Sequence, residues 1–218
     1  ADRFVDYGHD ELARTFIQER AETEQVPGFK TWLREYAEEH NEPETALAIA
    51  QAMFWQQPSL RAYQEIQRLA QPLEQWKTLR EAILKRLRKE NGFLLTEIYL
   101  AEGHGDLALQ AFKALEEQPS QWGWGIGNLH LRVAEAVEAT QPREAITLYM
   151  RTVRRLIKGR GRGNYAAAAQ HLLRVRKLYK QMDEAQAWET LIAELRDEYY
   201  RLPALQDELD KAGLRAEN

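Results

Sequence analysis

The chain has 218 residues, 44% of them hydrophobic and 29% charged, a length that allows one well-cored domain or an extended array of helical repeats. A formal net charge of −4, with a pI near 5.8, gives no global signal for nucleic acid. Cysteine is absent, which excludes disulfides and thiol chemistry and removes the commonest structural zinc ligand.

No apolar run approaches the roughly 20 residues needed to cross a bilayer, and no signal-peptide pattern opens the chain, so a cytoplasmic location is expected. The chain begins with Ala1 and not Met, which suggests a piece of a longer protein.

Glycine and proline fall between periodic segments, as in an all-helical chain. A first helix is predicted over Asp10 to Gln25, closed by Pro27 and Gly28. A second spans Phe29 to His40, with Trp32, Leu33 and Tyr36 inward. Pro43 sits in the first turn of the next helix, where its missing N–H is harmless, and that helix carries Ala46, Leu47, Ile49, Ala50, Met53 and Phe54. Ser59 is the expected N-cap of a helix from Leu60 to Ala70. Further helices are predicted at Leu73 to Lys89, Phe93 to Glu102 and Leu107 to Glu117; after a loop from Gln118 to Gly127, another runs from Asn128 to Ala139. From Arg143 to Lys158, Ile146, Tyr149, Met150, Val153, Leu156 and Ile157 recur at three-and-four spacing, which places one apolar stripe on a helix. A glycine-rich link, residues 159–164, separates it from Tyr165 to Met182. Helices from Asp183 to Tyr200 and from Pro203 to Ala212 complete the chain.

The predicted helices pair off, with pairs beginning near Glu42, Pro72, Gly105, Gln141 and Asp183. A drifting period of this kind marks stacked helix–turn–helix units. Residues 96–112 resemble a tetratricopeptide junction, where one helix ends at Gly and the next begins Asp-x-Ala; Ala46, Ala108 and Ala145 would sit where helices come closest. The expected fold is all-α, a tetratricopeptide-like right-handed α-solenoid of stacked helix pairs. It would form a single helical-repeat domain over residues 1–218, with the repeat array at 42–200 and a C-terminal capping helix and tail at 201–218. An irregular α-helical bundle with the same local patterns is the alternative.

The last third also carries a family likeness. Residues 145–158, the link and four alanines at 160–169, the run 174–179, and the segments 188–196 and 202–209 together resemble the C-terminal region of bacterial SWIM zinc-finger proteins. The likeness is close over about residues 140–214 and diffuse before that. In that family the finger lies N-terminal and uses three cysteines and a histidine, so it is absent from this chain. Neither zinc nor DNA binding passes to any residue here. The resemblance implies a helical-repeat region attached to a module that lies elsewhere.

The clearest candidate site is electrostatic. Between Arg151 and Lys180 stand ten basic residues and no Asp or Glu; with a chain total of −4, the remainder carries −14. Arg151, Arg154, Arg155, Lys158, Arg160, Arg162, Arg174 and Lys177 are the candidate ridge for an anion or an acidic partner. Asp183, Glu184, Glu189, Glu194, Asp197 and Glu198 on the next helix offer ordinary surface pairing as the other reading. The link is no P-loop, since it lacks the Lys-Ser/Thr ending and no strand precedes it. Trp122 and Trp124, each beside glycine, either grip a ligand or fold back onto their own chain. His9, His40, His104, His130 and His171 show no ligand spacing and read as surface or capping residues. No Ser-His-Asp set or carboxylate pair stands out, so no catalytic role is assigned, and neither cofactor nor metal is expected in this chain. The function expected is a non-catalytic scaffold for a protein or peptide partner. The alternative is a nucleic-acid-binding accessory module that uses the ridge from Arg151 to Lys180.

Overall fold

A computed structural model describes residues 14–15, 17–20, 27–117 and 128–215. Among them all regular structure is helical and there is no strand. Residues 14–15 and 17–20 are helical, as expected for the first segment. The helices that follow are α1 (Pro27–Glu39), α2 (Pro43–Gln56), α3 (Leu60–Ala70), α4 (Trp76–Glu90), α5 (Gly92–Ala101), α6 (Gly105–Glu117), α7 (Leu129–Val137), α8 (Pro142–Lys158), α9 (Arg162–Gln181), α10 (Ala185–Glu198) and α11 (Pro203–Lys211).

The helix starts follow local chemistry. Pro43, Pro142 and Pro203 each occupy the first turn of their helix, where an N–H has no intrahelical acceptor anyway. Ser59 caps α3 by accepting the Ala62 N–H at 3.3 Å. The helix ends are less expected. Asn41, Glu74 and Asp183 take φ values of 60°, 59° and 58°, and Gly103 and Gly213 take 75° and 66°. At each of these the next residue's N–H reaches the carbonyl five positions back, as in Glu42 to Ala37 and Glu184 to Tyr179. That is the Schellman closure, and here non-glycine residues make three of the five turns. It also corrects two predicted boundaries. Helix was expected from Leu73 and from Asp183, but the left-handed turns at Glu74 and Asp183 delay α4 to Trp76 and α10 to Ala185. At the glycine-rich link, Arg160 and Gly161 have φ of 53° and 91°, and α9 starts at Arg162 rather than Tyr165.

The structure divides into two compact units, residues 1–98 and 99–218. In the first unit α1 packs on α2, α2 on α3 and α3 on α4. Its core includes Phe54, Tyr63, Ile66, Leu84 and Leu87. In the second, α6 packs on α7, α7 on α8, α8 on α9, α9 on α10, and α9 also on α11. Phe112, Tyr149, Leu172, Ile192 and Leu205 are fully buried there. The small residues expected at close approaches, Ala46, Ala108 and Ala145, each have no exposed surface.

Within each unit, polar side chains link several helices to the next but one. In the first unit Arg34 and Arg68 of one pair of helices share Glu38 and Glu65, joining α1 to α3, and Arg86 of α4 lies 4.0 Å over the Trp55 ring of α2. In the second, Lys113–Glu144 at 2.7 Å and Arg151–Glu116 join α6 to α8, Arg174–Glu135 at 2.6 Å joins α7 to α9, and Arg162–Asp207 at 3.1 Å joins α9 to α11.

Candidate functional site

The predicted ridge is divided by the fold. Arg151, Arg154, Arg155 and Lys158 stay together on α8, at intervals that put them along one side of that helix. Arg162 begins α9 and bonds Asp207 and Glu208 of α11, each at 3.1 Å. Arg174 turns to α7, where it pairs with Glu135 and donates to the Tyr149 hydroxyl at 2.9 Å. Arg176, in the same basic run, donates to the Gly213 carbonyl at 3.0 Å. Arg160 and Lys177 are exposed and make no ion pair among the described residues. Five of the carboxylates expected to neutralise the ridge make no ion pair with it. Glu184 pairs instead with Arg143, and Asp183, Glu194, Asp197 and Glu198 form no ion pair with any cation of the run. Glu116, Glu135, Asp207 and Glu208 take that role, from α6, α7 and α11.

The four α8 cations line a cleft of about 1020 Å³ between α8 and α10. Ile146 and Met150 continue that wall toward the start of α8, and Ala187, Leu191 and Leu195 form the facing row on α10. Tyr179 of α9 lies at its base, half-buried, and burial followed by the nearby Glu184 carboxylate raises its phenol. Glu194 and Glu198 stand on the α10 wall. Glu198 also accepts from Tyr199, whose phenol burial pushes up, with Glu198 next in effect and Arg154 acting against it.

At the start of the cleft Arg143 and Glu184 close α8 onto α10 at 2.5 Å. Beyond that pair the walls carry opposite charges without joining: Arg154, Arg155 and Lys158 make no ion pair with any described residue. Arg151 keeps its pair with Glu116 while exposing half its side chain.

No protein-family model matches the chain. Over 92 residues, 42% of the chain, it is 35% identical to the uncharacterized protein YwqB of Bacillus subtilis (strain 168). That stretch covers 17% of YwqB, so the chain spans only a small part of the relative it matches.

The remaining candidates fare differently. Trp122 and Trp124 lie outside the described residues. His130, expected at the surface, is 6% exposed, and one of its ring nitrogens lies 2.6 Å from the buried Thr152 hydroxyl. His171 is half-buried and stacks on Tyr149 at 5.8 Å; burial, reinforced by Arg174, lowers its pKa and favours the neutral ring. The Tyr149 hydroxyl donates to Glu138 at 2.6 Å, and burial with that carboxylate drives its pKa well above the ordinary phenol range. These polar groups bridge α7, α8 and α9 inside the packing. No group of three His, Asp or Glu side chains poised to hold a metal ion occurs among the described residues, and no described helix is long and apolar enough to cross a membrane. Glu194 and Glu198 are legible in the sequence as neighbours of the ridge; the residues missed are the apolar row Ala187, Leu191 and Leu195 on α10, and Tyr179. Only the fold brings them opposite α8.

Proposed function

We propose that this chain is a non-catalytic interaction scaffold whose α8/α10 cleft seats a segment of a protein partner. Each unit is read as a stack of helix pairs of the tetratricopeptide kind, in a right-handed sense. The links between next-but-one helices support this, since stacked pairs place alternate helices side by side. The observation that carries the function is the gap itself: α8 and α10 are tied at one end by Arg143–Glu184 and open into an apolar-floored cleft beyond it. The resemblance of residues 140–214 to the C-terminal region of SWIM zinc-finger proteins supports reading the chain as the cytoplasmic helical-repeat region of a larger protein. The chain itself has no cysteine to build the finger.

The test is a photo-crosslinking residue at Thr190, an exposed position of the cleft, in the full-length protein inside its own cells. A protein adduct that disappears when Leu191 is changed to Arg supports the scaffold. Adducts to nucleic acid alone, or none, would sink it. The second reading, a nucleic-acid accessory module, draws on Arg154, Arg155, Lys158, Arg160 and Lys177, which make no ion pair among the described residues. It requires binding of labelled DNA or RNA that falls steeply with salt and is lost when Arg154, Arg155 and Lys158 become Glu.

A further inference from the structure

We infer that the occupant of the α8/α10 cleft is a short amphipathic helix of the partner protein, with acidic side chains along the edge that faces α8. This rests on the scaffold reading and adds the chemistry of the ligand. Elsewhere in the second unit, next-but-one helices are drawn together by opposite charges, as in Lys113–Glu144, Arg174–Glu135 and Arg162–Asp207. The α8 and α10 walls carry the same complementary charges, yet past Arg143–Glu184 they stay apart. Arg154, Arg155 and Lys158 therefore keep their charge available at the rim of an apolar floor.

The shape of that floor favours a helix. Ile146, Met150 and Arg154 on α8, and Ala187, Leu191 and Leu195 on α10, recur every four residues. Each row runs about 12 Å, two helical turns at 1.5 Å per residue. Two such ridges with a groove between them accept a third helix by ridge-in-groove packing. An extended peptide would meet a difficulty there. Both walls lie within helices whose backbone groups are already bonded, so a strand's N–H and C=O groups would find no backbone ladder to join and would depend on side chains alone. A helix brings its own satisfied backbone. The charge follows from a tally of the rim: with Arg151 paired to Glu116, Arg154, Arg155 and Lys158 face Glu194 and Glu198, three cations against two carboxylates. An acidic edge toward α8 is drawn in, and Glu194 and Glu198 admit a basic residue on the other edge.

The test is display selection of random peptides, about 14 residues or four turns long, against the whole chain at low salt. The selected peptides are then titrated against R154E/R155E and E194K/E198K, all four positions being exposed. The expected pool carries Asp or Glu beside apolar residues at three-and-four spacing, and its members gain helical circular dichroism on binding. Their affinity falls by about tenfold or more in R154E/R155E and rises in E194K/E198K. Binders without acidic bias, or affinities that fall alike in both variants, would overturn the inference and leave the scaffold reading standing. A library that yields no binder, together with an oligonucleotide that does bind and loses affinity in R154E/R155E, would overturn both.

Discussion

At Glu74 the backbone enters the left-handed region, φ 59°, so that the Gln75 N–H reaches the Ala70 carbonyl at 3.1 Å and closes α3. A side chain in that conformation costs about 1–2 kcal/mol, and Glu74 is exposed with no ion pair among the described residues to offset it. Glu74→Gly should raise stability by about 0.5–1 kcal/mol, once the greater freedom of glycine in the unfolded chain is subtracted. A higher denaturant midpoint checks this, and an unchanged or lower one would argue against the turn. Gly105 argues the other way. Helix propensity alone favours Gly105→Ala by up to about 1 kcal/mol. A Cβ there, however, would stand 2.6 Å from the Ala136 carbonyl oxygen of α7, a backbone atom that cannot swing aside. Gly105→Ala should therefore destabilise by about 1–3 kcal/mol, since α6 and α7 must separate to admit it. At Gly163 an added Cβ meets nothing within 4 Å, so Gly163→Ala serves as the control that keeps or gains stability in the same titration.

Among the elements, α10, α11 and the segment after α11 are joined through one side chain. Arg196 donates to the Leu214 carbonyl at 2.8 and 3.0 Å, to Gln206 at 3.0 Å and to Asp210 at 2.7 Å. Leu205, Leu209 and Leu214 are buried beneath it. Arg196→Ala should loosen this end by about 1–3 kcal/mol, the usual cost of charged hydrogen bonds removed from a part-buried site. Hydrogen exchange of amides 203–214 should accelerate by about 10-fold or more, at 1.4 kcal/mol per tenfold, while α8 amides keep their protection. Equal acceleration in both would mean that the clamp is not local.

The same elements show what could be read in advance. Helix periodicity, the first-turn Pro43 and the Ser59 cap are local properties, and each stands in the sequence itself. The ends at Asn41, Glu74 and Asp183 were not legible, because glycine is the usual mark of a left-handed closure and these residues are not glycine. The α8 wall was visible as spaced Arg and Lys residues and the facing Glu194 and Glu198 as a run of carboxylates, but the cleft that holds them apart was not. Whether two helices a full pair apart touch or diverge depends on how the intervening α9 packs, and no short stretch records that. His130 was misread for a related reason: its partner Thr152 comes from another helix.

For the molecule as a whole, net charge and local charge point in different directions. The chain carries −4, yet four cations and two carboxylates line the cleft. Its ion pairs are largely exposed, with Arg151, Arg162 and Arg174 side chains 52%, 61% and 47% accessible. Pairs of that kind contribute about 0–1 kcal/mol each, and the burial of residues such as Phe112, Tyr149 and Leu172 carries the stability instead. Salt should therefore act unequally on folding and on binding. Raising NaCl from about 0.05 to about 0.5 M shortens the screening length from roughly 14 Å to roughly 4 Å. The unfolding temperature should move by less than about 3 °C, a change worth about 1 kcal/mol at this chain length. Affinity for an acidic peptide should drop much further over the same range, because its charges meet Arg154, Arg155 and Lys158, which make no ion pair among the described residues. Calorimetry and peptide titration on one salt series make the comparison. A large fall in unfolding temperature would show that the inter-helix ion pairs hold the stack together, and a salt-independent affinity would show that the apolar floor, not the rim of α8, selects the ligand.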